Sequence, residues 1–219
     1  MILAAGRGTR MGTLTDERPK PLLEIGRESL LERHVRRLAL AGFTDIVINV
    51  SYRAAQIQEA IGGGARWNVR VHYSVEDEPP LETAGGIIRA LPLLAPEPFV
   101  AVNADVLTDF DYARLRRGAG QGVLVLVPNP PHHPQGDYGL DAQLRIVHER
   151  PRLTFAGISL LDCALFADLA PGRRALKPIL DAAVERRLLL GERYEGLWLD
   201  VGTPQRLALA RRRMRALAK

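Results

Sequence analysis

The sequence predicts an α/β fold, a mostly parallel mixed sheet covered by helices on both faces. Three observations predict it. Short, nearly continuous Val/Ile/Leu runs such as Asp45 to Val50 and Phe99 to Val106 suit strands buried on both faces. Helical stretches with one apolar stripe separate these runs. The runs break into small or acidic residues at Ala5-Gly6, Asn103-Ala104-Asp105 and Leu199-Asp200. In such sheets ligands bind beyond the carboxyl ends of the strands.

Met1 to Ala5 is predicted as the first buried strand and Leu22 to Ile25 as a short second one. Ser29-Leu30-Leu31-Glu32 is a capping box, because the serine can accept from a free amide and the glutamate can reach back. Leu30, Leu31, Val35 and Leu38 form a helical stripe that Gly42 ends. A strand at Asp45 to Val50, a helix at Arg53 to Ile61 and a strand at Val69 to Val75 follow. A helix at Ala84 to Leu91 and a strand at Phe99 to Val106 complete the alternation. After Gly122 the links become rich in turns. Strands at Val123 to Val127, Leu144 to His148 and Thr154 to Leu161 suggest an inserted or appended mixed-sheet region, about 123–162, with room for a second ligand. A helix at Lys177 to Leu190, a strand at Leu197 to Val201 and an amphipathic helix at Pro204 to Leu217 close the chain.

Composition narrows the function. The 219 residues, 47% hydrophobic, suffice for one substantial core, and a single domain over 1–219 is expected. No apolar stretch reaches membrane-spanning length, and no basic segment precedes a long apolar one. The single cysteine, Cys163, cannot form an intrachain disulfide, which suits a cytoplasmic location. The net charge of +5 permits a polyanionic partner. Aromatic residues are only 5% and do not interleave with the basic ones, so a nucleic-acid stacking platform is not expected. Arg33, Arg36, Arg37, Arg206, Arg211, Arg212, Arg213 and Arg215 read as solvated helix faces. Nothing points to an obligate protein partner.

The first predicted strand runs into Gly6-Arg7-Gly8-Thr9-Arg10. Glycines after a strand let backbone amides approach an anion, and an arginine adds a fork suited to phosphate. The P-loop pattern is absent, and Met11 stands where the dinucleotide fingerprint needs glycine. A simple tight turn competes with the anion-loop reading. Pro19 and Pro21 stiffen the backbone around Lys20 and aim it as a second phosphate ligand. Asp105 and Asp200, each at a strand end, suit magnesium, which takes one or two carboxylates plus phosphate oxygens and water. Taken singly, each aspartate also fits a turn or helix cap. His132 and His133 are adjacent but lack the spacing partners of a metal site, so a proline-bracketed loop is the simpler reading.

Leu3-Ala4-Ala5-Gly6-x-Gly8-Thr9-Arg10-Met11, followed by Pro19-Lys20-Pro21, resembles the signature of the sugar-1-phosphate nucleotidylyltransferases. Leu81-Glu82-Thr83-Ala84-Gly85-Gly86 resembles that family's Leu-Gly-Thr-Ala-Gly segment, and Trp198-Leu199-Asp200-Val201-Gly202-Thr203 its late Trp-x-Asp-x-Gly-Thr. Ala104 departs from the family's Gly-Asp. The resemblance implies a Rossmann-like fold of the nucleotide-diphospho-sugar transferase type, with 123–162 as a small sugar-binding β subdomain. It implies Arg10 and Lys20 as catalytic residues. Leu3, Ala4, Ala5, Gly6, Gly8, Thr9, Thr83, Gly85 and Asn103 would join them at the nucleotide. Asp105 and Asp200 would bind Mg2+.

Asn129-Pro130-Pro131-His132-His133-Pro134-Gln135-Gly136-Asp137-Tyr138 and Leu153 to Ile158 are similar to the N-acetylmuramate-1-phosphate uridylyltransferases, one branch of that family. That similarity implies UTP and a sugar 1-phosphate as substrates, with Asp137, Thr154 and Gly157 at the sugar, in peptidoglycan recycling. A glucose- or mannose-1-phosphate nucleotidylyltransferase is the alternative within the family. A non-catalytic nucleotide sensor is the alternative outside it, and the presence of both aspartates favours the enzyme.

Overall fold

The structure is a computed structural model that describes residues 1–94, 96–117 and 122–217. Its frame is a seven-stranded sheet. In chain order its strands are β1 (Ile2–Leu3), β2 (Asp45–Val50), β3 (Arg70–Val75), β4 (Phe99–Asn103), β6 (Gly122–Val127), β9 (Thr154–Leu161) and β10 (Leu189–Arg193). The spatial order is β10-β6-β9-β4-β1-β2-β3. Only β9 runs antiparallel to its neighbours, β4 and β6. The helices are α1 (Leu30–Leu40), α2 (Ala54–Ile61), α3 (Glu82–Leu94), α4 (Lys177–Glu185) and α5 (Pro204–Leu217).

Alternation along the strands feeds two cores. Ile46 and Ile48 on β2, Val100 and Val102 on β4, and Val123 and Val125 on β6 face the side covered by α1 and α2. Val47, Phe99, Ala101, Leu124 and Leu126 face the side covered by α3 and α4. Successive side chains on a strand point to opposite faces, so a sheet covered on both sides needs apolar residues at every position. A third, smaller cluster joins Met11, Leu23, Ile25, Leu30, Leu107, Val201 and Leu207, and seats α5 under the N-terminal loop.

The capping box at the start of α1 is present in both directions, with Glu32 N donating to Ser29 Oγ at 3.2 Å and Ser29 N to Glu32 Oε2 at 2.7 Å. Several sequence expectations are corrected. Leu22 to Ile25 is not a strand, because the prolines fold Lys20–Leu22 into a 3-10 turn and only a lone bridge pairs Glu24 with Ser29. The strand from Phe99 breaks at Ala104-Asp105, and Val106–Thr108 (β5) instead pairs antiparallel with Trp198–Asp200 (β11). The strand at Leu144 to His148 shrinks to Ile146–Val147 (β8), paired with Gly139–Leu140 (β7), because Leu144 turns with φ 60°. The helix from Lys177 stops at Glu185, and Leu189 to Arg193 form an edge strand beside β6. Arg187, at φ 56°, makes that break, which apolar spacing alone does not show. The region 123–162 is not appended to the fold. Its long strands β6 and β9 lie inside the main sheet, and only the β7–β8 hairpin stands outside it.

The arginines of α1 do not all face solvent. Arg33 is buried and reaches Glu28 and the Thr108 carbonyl, while Arg37 donates to the carbonyls of Asp109 and Phe110. Between them His34 is buried, with Nδ1 2.9 Å from the Tyr112 hydroxyl. Burial, with a smaller contribution from the neighbouring arginines, pushes the His34 pKa down to about 4. The unfolded chain takes up this proton near pH 6.5, so stability is lost as the pH falls from there towards 4. Urea titrations at pH 7 and pH 4.5 should show a smaller acid-induced loss for His34→Gln than for the parent, by about 2 kcal/mol. Equal losses in the two proteins would show that His34 does not carry the effect.

Candidate active site

The crevice lies where the sheet reverses its winding, since β1 has β2 on one side and β4 on the other. Two adjoining cavities occupy it. The first, about 420 Å³, is lined by Leu3, Ala4, Ala5, Gly6, Gly8, Thr9, Arg10, Lys20, Thr83, Asn103 and Asp105 among others. The second, about 480 Å³, is lined by Asp137, Tyr138, Phe155, Lys177 and Leu180. Glu82, Thr83 and Asn103 line both and form the shared wall.

The loop after β1 is held from below. Met11 is buried and its amide donates to the Gly8 carbonyl at 2.9 Å. Gly8 has φ 71°, and a Cβ there would come within 2.9 Å of Lys20 Cβ. Glycine is therefore required for the lysine stem to pass the loop. Gly6 has no protein atom within 4 Å of such a Cβ, so its bare side faces open space. Lys20 is buried, and its Nζ lies 2.5 Å from Asp105 Oδ2. Arg10 is exposed at the cavity edge, and its guanidinium has no ion pair or hydrogen bond among the described residues.

Deeper in the first cavity is a chain of polar contacts that the sequence reading missed. Ala4 N donates to Asn49 Oδ1 at 2.8 Å, Asn49 Nδ2 to Glu76 Oε1 at 2.6 Å, and Leu81 N to Glu76 Oε2 at 2.9 Å. Asn49 is the penultimate residue of β2, and Glu76 follows β3. A polar residue closing an apolar run was the available signal. Gly86 is needed here too, since a Cβ would meet Glu76 Oε1 at 2.5 Å.

Gly85 is not brought to the nucleotide-sized cavity. Its amide and that of Ala84 donate to the Arg174 carbonyl, and a Cβ on Gly85 would strike the Gly172 carbonyl at 2.4 Å. The small residues at the start of α3 thus serve packing against 172–174, and the amides of Ala84 and Gly85 are both occupied.

Asp105 comes immediately before β5 and Asp200 ends β11, where Asp200 is opposite Val106 and Val201 N donates to the Asp105 carbonyl at 2.7 Å. Asp200 does not cap α5, since Thr203 Oγ1 accepts from Arg206 N instead. Arg206 is no surface residue either. Its Nη1 forms an ion pair with Asp200 Oδ2 at 2.7 Å. Asp200 Oδ1 is sealed from solvent and accepts no hydrogen bond. No group of three or more His, Cys, Asp or Glu ligands converges among the described residues. Two neighbouring carboxylates are the donor type that a hard divalent cation takes, completing its shell with substrate oxygens and water.

In the second cavity, Asp137 accepts from Phe155 N at 2.8 Å and lies 3.2 Å from His133 Nε2. Thr154 and Gly157 support the wall rather than line it. Thr154 Oγ1 donates to Asn129 Oδ1 at 2.8 Å, and Gly157, at φ 68°, leaves room for the Asn103 side chain. Tyr138 donates to Asp181 at 2.8 Å, and burial followed by this bond pushes its phenol well above the ordinary range. Burial works to raise the Asp181 carboxyl, but Lys177 and Tyr138 outweigh it and hold the group low.

The nucleotidyl transferase family model matches residues 1–147. The N-acetylmuramate alpha-1-phosphate uridylyltransferase of Neisseria meningitidis serogroup B is 45% identical over 94% of both chains. The mannose-1-phosphate guanyltransferase of Schizosaccharomyces pombe is 33% identical over 94% of this chain and 61% of its own. HddC from Yersinia pseudotuberculosis superposes with a TM-score of 0.80 at 22% identity, over 97% of each chain, and shares the fold. No helix among the described residues is long and apolar enough to cross a membrane.

The Asn49–Glu76 link is buried, so breaking it leaves the Ala4 amide and a carboxylate oxygen without partners. Asn49→Ala should lower unfolding free energy by about 2–4 kcal/mol in urea titrations. A change below about 0.5 kcal/mol, the range of ordinary surface substitutions, would remove the link from the framework of the site.

Proposed function

The chain belongs to the nucleotidyl transferase family and is a nucleotidyltransferase, and from that premise we propose that it transfers a uridylyl group from UTP to N-acetylmuramic acid 1-phosphate. The products are UDP-N-acetylmuramic acid and pyrophosphate. The observation that carries the reading is the pair of adjoining cavities with one shared wall. One is floored by a glycine loop with a free arginine and a buried lysine. The other is walled by Asp137, Tyr138 and Phe155. The meningococcal relative, alike over nearly its whole length, supports the substrate pair. A cytoplasmic place in peptidoglycan recycling goes with that substrate, and the chain is read as one domain over 1–219.

In this reading the triphosphate lies along Gly6 to Arg10, and the nucleoside rests against Leu3, Ala4, Ala5, Thr83 and Asn103. The sugar phosphate enters from the second cavity, near Asp137 and past the shared wall. An oxygen of the sugar phosphate attacks the α-phosphorus of UTP, and the bond to pyrophosphate breaks. The nucleophile is already an anion, so no general base is needed. Repulsion between two anions is the main obstacle. Arg10 and Lys20 stabilise charge on the α-phosphate and the departing pyrophosphate. Asp105 and Asp200 would hold Mg2+, which supplies positive charge between the phosphates when bound.

Catalytic efficiency with UTP should be higher for N-acetylmuramic acid 1-phosphate than for N-acetylglucosamine 1-phosphate, by about tenfold to a few hundredfold, as expected for a pocket that misses one substituent. Higher efficiency with glucose 1-phosphate or mannose 1-phosphate would overturn the substrate and leave the transferase in place. Asp105→Asn and Asp200→Asn should each cut turnover by about a hundredfold or more. Near-parental rates at limiting magnesium would clear that aspartate of the role. Arg10→Ala should lower turnover while the melting temperature stays within about 2 °C of the parent, in keeping with an exposed residue. Full activity in that variant would exclude Arg10 from the phosphates.

A further inference from the structure

The adjacent histidines His132 and His133 diverge, and each reaches one side of the crevice. His133 lies 3.2 Å from Asp137, which lines the second cavity. His132 Nε2 lies 2.6 Å from Arg206 Nη1 and 3.0 Å from Asp200 Oδ1. Arginine can only donate a hydrogen bond, so of this pair the His132 nitrogen is the side able to accept. Asp200 Oδ1 is sealed from solvent with the same imidazole nitrogen beside it.

The Asp200 carboxylate is thereby presented in a defined way. Arg206 pairs with Oδ2, and the His132 ring lies against both Arg206 and the buried Oδ1. Gly202 makes this possible, since a Cβ there would strike Arg206 Nη2. The loop that brings His132 is fixed at both ends. Asn129 Nδ2 donates to the carbonyls of Pro134 and Arg152, and Asp137 N donates to the Leu153 carbonyl at 2.7 Å.

We propose that His132 and Arg206 are positioning residues for the transfer reaction: packed against the two oxygens of Asp200, they fix the direction of the carboxylate that would reach the divalent ion. Neither touches substrate or supplies a ligand. The inference rests on the reading that Asp200 holds that ion. Residues that orient a ligating carboxylate typically matter by ten- to a hundredfold when removed.

The test uses the full chain, with His132→Ala, His132→Gln, Arg206→Gln and Asp200→Asn. It combines steady-state kinetics with Mn2+ binding to the free protein, followed by electron paramagnetic resonance. His132→Ala and Arg206→Gln should lower kcat by about ten- to a hundredfold, with KM for UTP within about threefold. Mn2+ affinity should fall far less for His132→Ala than for Asp200→Asn, because no ligand is lost, and the loss for Arg206→Gln should be offset in part because a nearby cation is removed. His132→Gln should recover most of the turnover lost in His132→Ala, since its amide oxygen can accept from Arg206. Should Arg206→Gln fail to fold, the exposed His132 decides the matter alone.

Parental turnover in His132→Ala overturns the proposal, as does a loss of Mn2+ affinity there as large as in Asp200→Asn, which would make His132 a ligand. So does a glutamine variant no better than alanine. Asp200→Asn separates the two levels. If it keeps both turnover and Mn2+ affinity, the reading of Asp200 falls. If it loses both while His132→Ala matches the parent, only the positioning role falls.

Discussion

The ion pair between Lys20 and Asp105 is the contact on which the crevice depends. It joins the N-terminal loop to the break between β4 and β5 at a distance of 2.5 Å, with the lysine side chain 9% exposed. Burying an ammonium without a partner is costly, so the geometry around it is constrained. Pro19 and Pro21 fix the backbone that carries it, and Gly8 gives up its side chain so that the stem can pass. The apolar cluster of Met11, Leu23, Ile25, Leu107 and Val201 lies under the same elements. The loop glycines, the proline pair and the strand break are thus parts of one arrangement. It keeps a cation inside a site meant for anions.

Around that pair, every charged group of the crevice except Arg10 is given a protein partner. Glu76 takes amide hydrogens from Asn49 and Leu81, Asp200 takes Arg206, and Asp137 takes the Phe155 amide. Groups fixed in this way need little reorganisation when a polyphosphate arrives, which is the economical way to stabilise charge in a transition state. Arg10 stands free at the rim, where an arriving anion would meet it first.

Much of the fold was legible because buried strands and amphipathic helices leave local patterns. Asp45–Val50, Thr154–Leu161 and Pro204–Leu217 have the bounds that periodicity assigns. The edge strand Leu189–Arg193 was not, since an apolar stretch that follows a helix keeps helical spacing until one residue turns left-handed. The same divide runs through the site. The loop from Leu3 to Arg10 is contiguous, so its residue types speak together. Asn49, Glu76 and Arg206 are remote in sequence and act through contacts that only the folded sheet creates. Gly85 shows the converse, a motif position whose amide and bare side are taken up by packing against 172–174.

The central claim is that Lys20 is held on Asp105 until a phosphate takes it. UTP affinity measured by titration calorimetry without divalent ions tests it directly. Asp105→Asn removes a repelling carboxylate and also frees the lysine, so it should bind UTP more tightly than the parent, by about fivefold or more. In a Lys20→Met background the same change should bring a smaller gain, because only the relief of repulsion remains and no ammonium is released. The two substitutions would then be strongly coupled. An equal gain in both backgrounds would show simple relief of repulsion, and would contradict the account.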